Sequence, residues 1–188
     1  TWEMLQILKQ KKLLPASNRS DGESVFESST GELLLDNSRS FLRVNTPRLQ
    51  GICALAGTRE KLDDFEIQEM STNGNLSVVS VDGTRPIREA ERLVVVYATN
   101  ALNNGMKFAE EEMKTIQRMG WTPSLLEAGK FRIRLRNRHT GDLKLYPLDL
   151  SGRRLKTIPP EWVDGESVCF TVDTAKDGAA VFFEIARR

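Results

Sequence analysis

The residue types that most often carry enzyme chemistry are few and scattered in this chain. The only histidine, His139, lies in a polar turn at residues 137–141, where a lone imidazole is typically solvated. The two cysteines, Cys53 and Cys169, are far apart, and together with one histidine they form no zinc-binding pattern. Neither a Gly-x-Ser-x-Gly elbow nor a phosphate-binding glycine-rich loop occurs. The sequence therefore predicts no catalytic residue, no metal site and no cofactor.

Carboxylates are numerous, but no pair can be singled out as catalytic. Glycoside cleavage generally needs two carboxyl groups at a defined separation. Most acidic residues here fall in turns or on polar strand positions, which favours solvated carboxylates or caps of backbone N–H groups. An independent enzyme stays possible only if a cleft brings some of them together. The candidates are Glu32, Asp36, Asp63, Asp64, Glu66, Glu110, Glu111, Glu112, Asp142, Asp149 and Glu161.

Arginine recurs at every second position from Arg132 to Arg138. Such a stripe could contact nucleic acid, but readers of nucleic acid usually add an aromatic platform or a wide basic surplus. Here Phe131 is out of phase with the arginines, and 27 Lys and Arg against 26 Asp and Glu leave a net charge of +1. We therefore expect a solvent-facing strand whose arginines pair with acidic residues of neighbouring strands, and no nucleic-acid partner.

Two tryptophans are candidates for carbohydrate binding, because sugar rings stack on exposed aromatic planes. Trp121 lies between Gly120 and a Thr-Pro pair, and Trp162 follows Pro-Pro-Glu, so both are predicted in or near loops. The alternative role of each is to close one end of a sandwich. Trp2 is predicted to be a packing anchor.

The cysteine content and the hydropathy of the chain say little about its cellular compartment or the redox state of its thiols. Both Cys53 and Cys169 lie in apolar strand-like segments, so we favour two buried free thiols over a disulfide. No apolar run approaches the ~18–20 residues of a membrane span, which predicts no membrane partner. The chain opens on Thr1 without a leader, as expected after signal-peptide removal or for a piece of a longer protein.

The elements that position these residues are mostly strands. Residues 1–14 predict one helix, capped by Thr1, apolar along Trp2, Leu5 and Leu8, and closed by Pro15. Residues 16–23 are a polar connector, so we divide the chain into a helix and connector (1–23) and a β-sandwich domain (24–188).

About eleven short, turn-punctuated strands are predicted from residue 24 onward. Residues 131–135 alternate cleanly, as in a half-buried strand, whereas the apolar run at 93–99 is typical of a strand covered on both faces. Residues 107–119 are expected to be a loop with a possible helical turn. Because no helices intervene between the strands, the sequence predicts an all-β fold, an antiparallel β-sandwich with a short N-terminal helix.

Two stretches together resemble a known domain. Residues 28–51 read SSTGELLLDNSRSFLRVNTPRLQG, and residues 79–106 read VSVDGTRPIREAERLVVVYATNALNNGM. They resemble the C-terminal β-sandwich that follows the catalytic (β/α)8 barrel in several groups of bacterial glycoside hydrolases. GWTPSLLE, YPLDLSGRR and FTVDTAKDGAAVFFEIAR continue the likeness in the same order. Ser29, Leu35 and Asn45 depart from the family pattern, which has Asp, an aromatic residue and Asp at these positions.

The resemblance implies a non-catalytic accessory domain that packs against the catalytic barrel of its parent enzyme and supports it in polysaccharide degradation. It also implies a secreted, periplasmic or cell-surface location. The alternative is a carbohydrate-binding module that binds a polysaccharide through Trp121 and Trp162.

Overall fold

The computed structural model describes residues 2–187 and begins with one helix, α1 (Trp2–Gln10). The helix is shorter than the predicted 1–14. After Gln10 the chain turns through Lys12, which has a φ of 56°, and the N–H groups of Leu13 and Leu14 both donate to the carbonyl of Leu8. The predicted cap Thr1 lies outside the described residues.

The connector after α1 is held on the first strand by side-chain hydrogen bonds. Asn18 donates to the carbonyls of Glu27 and Ser28, and the Asp21 carboxylate accepts the backbone N–H groups of three residues that follow it. Those N–H donors hold the pKa of Asp21 far below its ordinary value. Trp2, predicted to be a packing anchor, lies against Gly22 of the connector while 49% of its surface stays exposed.

Seventeen strands and one further short helix, α2 (Thr174–Asp177), follow within the described residues. The strands are β1 (Val25–Glu27), β2 (Leu33–Asp36), β3 (Phe41–Asn45), β4 (Leu49–Ala54), β5 (Glu60–Lys61), β6 (Phe65–Met70), β7 (Gly74–Ser80), β8 (Arg92–Ala98), β9 (Ala101–Asn104), β10 (Lys107–Phe108), β11 (Ile116–Arg118), β12 (Trp121–Leu126), β13 (Lys130–Arg136), β14 (Lys144–Pro147), β15 (Trp162–Asp164), β16 (Ser167–Asp173) and β17 (Phe182–Ala186).

Thirteen of these strands form two antiparallel sheets. The larger has the order β1-β2-β3-β4-β7-β8-β17-β14, and the smaller has the order β15-β16-β13-β6-β5. The all-β sandwich prediction is confirmed. The strand count of about eleven was too low, because strands of two to four residues are too short for alternation to reveal them in the sequence.

The core lies between the two sheets. Phe131 of the five-stranded sheet packs edge-on against Tyr97 and Phe183 of the eight-stranded sheet, with ring centroids 4.9 and 5.2 Å apart. Polar side chains that enter this interior are hydrogen-bonded. Asn137 donates to two backbone carbonyls and accepts the His139 N–H, and Gln50 accepts the Asp64 N–H. The side chains that point inward from the alternating positions of both sheets therefore form one continuous core.

Residues 100–127 leave the sandwich between β8 and β13 as a projecting arm. Two small antiparallel pairs form it, β9 with β12 and β10 with β11. The loop with a possible helical turn expected at 107–119 is instead a strand, a turn and a second strand. Gly120, with a φ of 71°, turns the chain into β12 and caps no helix. Every side chain of β12 is exposed, which explains why its composition shows no clear periodicity.

Candidate functional site

The outer surface of the five-stranded sheet, which we call the charged face, brings together several of the polar residues singled out above. Strand register places Trp162, Cys169, Arg134, Glu66 and Lys61 directly opposite one another across all five strands. With neighbouring strands ~4.8 Å apart, this row spans about 19 Å. Residues at opposite positions of paired strands point to the same side of a sheet, so the row lies on one surface.

The arginine stripe runs along the middle strand of the charged face. Arg132 pairs with Glu161 at 2.9 Å, Arg134 with Asp164 at 3.7 Å, and Arg136 with Glu166 at 3.1 Å. All three acidic partners come from β15 or the segments beside it, across β16. The expectation of arginines paired with acidic neighbours is therefore confirmed. Each pair is at least one-third exposed, so its main effect is to orient the side chains rather than to stabilise the fold.

Two carboxyl groups on this side of the molecule titrate away from their ordinary range in opposite directions. The hydrogen bond from Arg136 and the charge of Arg88 lower the pKa of Glu166. Burial raises the pKa of Asp64, against the attraction of Arg88 and Arg136. Asp64 is the carboxyl group with a raised pKa in the described part of the chain, and the negative charges of Asp63 and Glu166 contribute to that rise.

Cys169 stands second in the row, between Trp162 and Arg134, and is fully buried beneath its neighbours. Its sulfur is 3.8 Å from Oε1 of Gln68 and 3.9 Å from Oε2 of Glu161. Burial raises the pKa of the thiol, against the attraction of Arg132. Both cysteines are free, which confirms the prediction of free thiols. The prediction that both are buried was wrong for Cys53, which is exposed on the other sheet.

Two adjoining hollows lie beside the row, between β13 and the edge strand β5. Their volumes are about 240 and 540 Å3, and they share Lys61 and Glu66. Five cationic and five acidic side chains line them, so the lining is neutral as a whole. These residues are Arg59, Lys61, Arg132, Arg134 and Arg136, with Glu60, Asp63, Asp64, Glu66 and Glu69.

The structure separates the two candidate tryptophans. Trp162 begins β15 on the charged face, where it is half-buried and the Arg134 guanidinium lies 5.4 Å from its ring centroid. Trp121 begins β12 on the arm and is 56% exposed, and the Arg118 guanidinium lies 5.3 Å from its ring centroid. Each residue is the first of its strand, directly after a turn or loop, which agrees with the predicted position in or near a loop.

The outer surface of the eight-stranded sheet, which we call the apolar face, differs sharply from the charged face. Two cross-strand rows form much of it, one from Phe26 to Cys53 and the other from Leu33 to Phe182. Val94 and Val96 at its centre are half-buried, so this chain does not provide the second cover predicted for residues 93–99. Its exposed large apolar side chains are Phe26, Leu33, Leu35, Leu42, Leu49 and Phe182.

One buried ionic cluster interrupts the apolar face. Glu184 accepts hydrogen bonds from Nε of Arg92 and, at 2.6 Å, from Nε of Arg154. Burial opposes ionisation of Glu184, but the two arginines outweigh it and keep the pKa of the carboxyl below its ordinary value. Arg154 also lies over the Tyr146 ring, 4.1 Å from its centroid. The buried carboxylate is thus compensated within the chain, while the cluster of two arginines and one glutamate keeps one net positive charge.

Sequence reasoning missed the apolar face as a continuous surface. The signals in the sequence were the uninterrupted apolar runs of β8 and of residues 33–35 in β2, since Leu42 and Leu49 stand in segments of mixed polarity. Within residues 2–187 no group of three or more His, Cys, Asp and Glu side chains could hold a metal ion. Over the same residues, no helix has the length and apolarity needed to cross a membrane.

Comparisons of the chain with protein-family models, with curated proteins and with solved structures found no match.

Proposed function

We propose that this chain is a non-catalytic β-sandwich domain that packs, through its apolar face, against the (β/α)8 barrel of a glycoside hydrolase. The observation that carries the proposal is the exposure of six large apolar side chains on one sheet surface. Contiguous apolar patches of this kind mark protein contacts more often than free surface. The motif resemblance of residues 28–51 and 79–106 supplies the identity of the partner.

The chemistry of the apolar face suits the outside of such a barrel. A (β/α)8 barrel presents a ring of helices outward, and a helix packs on a sheet whose facing side chains are apolar. The centre of the face is made of small or β-branched residues, among them Gly51, Val94 and Val96. In the Arg92–Glu184–Arg154 cluster the buried carboxylate is paired with both arginines, and the one net positive charge lies on exposed guanidinium groups that such a contact can leave in water.

The state of the titratable groups supports a non-catalytic role. On the charged face Glu161, Asp164 and Glu166 each form an ion pair with an arginine, and the arginines near Glu166 lower its pKa. The His139 backbone N–H donates to Asn137 in a tight turn. Glycoside hydrolysis needs one carboxyl group that is protonated beside one that is ionised. In the proposed enzyme the barrel would supply that pair.

The contact can be tested in the longer polypeptide encoded upstream of Thr1 together with this chain. A protease cut in the segment joining the two parts should leave them associated in size-exclusion chromatography. Leu42→Asp on the apolar face should separate them, whereas Leu150→Asp should not. Leu150 is the matched control, because it is an exposed leucine in a turn outside the apolar face. An upstream sequence without a barrel, or association unaffected by Leu42→Asp, would overturn the proposal.

The non-catalytic part of the proposal has its own test. The purified chain should hydrolyse neither aryl glycosides nor soluble polysaccharides, while the longer polypeptide should hydrolyse at least one of them. Turnover by the chain alone that survives repurification would contradict the proposal.

A further inference from the structure

The charged face has features that contact with a barrel on the opposite side of the sandwich does not explain. We propose that it binds a neutral polysaccharide chain, with Trp162 as the stacking plane and Arg134 and Glu66 among the polar contacts. Because the two outer faces lie on opposite sides of the sandwich, the site stays open when the apolar face is covered. The proposal goes beyond the role proposed above and does not depend on it.

The row of opposite residues provides the geometry. Trp162 stands at one end, the fully buried Cys169 follows, and the longer side chains of Arg134, Glu66 and Lys61 continue across the sheet. A row of about 19 Å is long enough for several sugar units of an extended chain, which a single pocket could not accommodate.

The chemistry of the row fits a ligand with apolar ring faces and hydroxyl edges. Pyranose rings present C–H groups on their faces and hydroxyl groups around their rims. The part of the half-buried Trp162 ring that Arg134 leaves open offers the apolar plane, and the side chains beside it offer donors and acceptors in fixed positions. Arg132 and Thr171, for example, both donate to Glu161, which holds that carboxylate in place beside Trp162.

The charge balance selects the class of polysaccharide. Five cationic and five acidic side chains line the two hollows, so a polyanion would meet as many like charges as opposite ones. Hydroxyl groups both donate and accept hydrogen bonds and can use both kinds of side chain. The larger hollow, about 540 Å3, lies within the ~300–1,000 Å3 range of small-ligand sites.

Affinity electrophoresis of the chain tests this proposal, with gels containing xylan, galactomannan, mixed-linkage β-glucan or, as the anionic comparison, polygalacturonate. At least one neutral polymer should retard the wild-type chain. Trp162→Ala should weaken the apparent affinity about tenfold or more, because it removes the stacking plane. Trp121→Ala is the matched control, since it removes an exposed tryptophan on the arm, and it should migrate as the wild type does.

Glu66→Ala provides a second variant that leaves the tryptophans intact, and it should also reduce retardation. Circular dichroism identifies any variant that does not fold, and the other variant then decides the outcome. The proposal is overturned if no neutral polymer retards the chain or if only polygalacturonate does. It is also overturned if folded Trp162→Ala and Glu66→Ala migrate as the wild type. None of these outcomes depends on a barrel domain.

Discussion

The two outer faces of the sandwich are built on strands with the same inward alternation, yet they differ in chemistry. On the five-stranded sheet the outward positions of β13 are arginines paired with acidic neighbours. On the eight-stranded sheet the outward positions at the centre of β8 are Val94 and Val96, and Leu42 and Phe182 lie exposed on nearby strands. The difference shows that the shared core does not determine what lies outside it.

The physical reason is that the two sides of each sheet contact different environments, which constrain their side chains separately. Inward side chains must fill the space between the sheets at close-packed density, and this requirement is the same for both sheets. Outward side chains meet only solvent or a partner. A charged face with oriented ion pairs is suited to water and polar ligands, whereas an uncovered apolar face is suited to another protein surface.

The sharpest test of this comparison uses two adjacent residues of β17. Phe183 is fully buried in the core and Phe182 is 40% exposed on the apolar face. Phe183→Ala should lower the free energy of unfolding by about 3–5 kcal/mol, because it leaves a cavity. Phe182→Ala should cost less than about 1 kcal/mol in the isolated chain, since its ring is already partly in water. Urea unfolding measures both, and equal losses would mean that the apolar face is part of the core.

The ionic cluster on the apolar face should matter more than any ion pair on the charged face. Glu184→Gln leaves two arginines without their shared carboxylate and should cost about 1–3 kcal/mol of unfolding free energy. Glu161→Gln is the matched change on the charged face and should cost at most about 1 kcal/mol, because its ion pair with Arg132 is partly exposed. A larger loss for Glu161→Gln in urea unfolding would reverse the comparison.

Acid should remove part of the contribution of Glu184. The pKa of this carboxyl in the folded chain lies below its usual value of 4.5. Its stabilisation is therefore fully present above that value and is lost as the pH falls through the lowered pKa. The difference in unfolding free energy between the wild type and Glu184→Gln should be constant from about pH 7 to about pH 5 and should narrow below about pH 4. A difference that does not change with pH would show that the carboxylate is not the stabilising group.

The smallest expected effect concerns the arginine stripe itself. A double-mutant cycle on Arg136→Ala and Glu166→Ala should give a coupling energy of about 0–1 kcal/mol in thermal or urea unfolding. This coupling should decrease in high salt, because both side chains are partly exposed. A coupling well above 1 kcal/mol would place the charged face among the stabilising parts of the fold and weaken its assignment to ligand contact.

Much of the architecture could be predicted from residue order alone. The alternation at residues 131–135 predicts a half-buried strand whose arginines face outward, and the structure confirms this. The free cysteines and the all-β sandwich follow equally from local pattern. Period-2 alternation, turn residues and the scarcity of helical periods are properties of short segments, so one sequence is enough to recognise them.

Pairing across the sheets decided the rest. No sequence pattern indicates that Trp162 lies opposite Cys169 and in one row with Arg134, whereas Trp121 lies on the arm. Nor could scattered leucines such as Leu35 and Leu42 be assembled into one apolar face before their register was known. Residues far apart in the chain become neighbours only through strand order and register, which depend on the whole core. The sequence determined the elements of this protein, and the tertiary structure decided which of their outward residues act together.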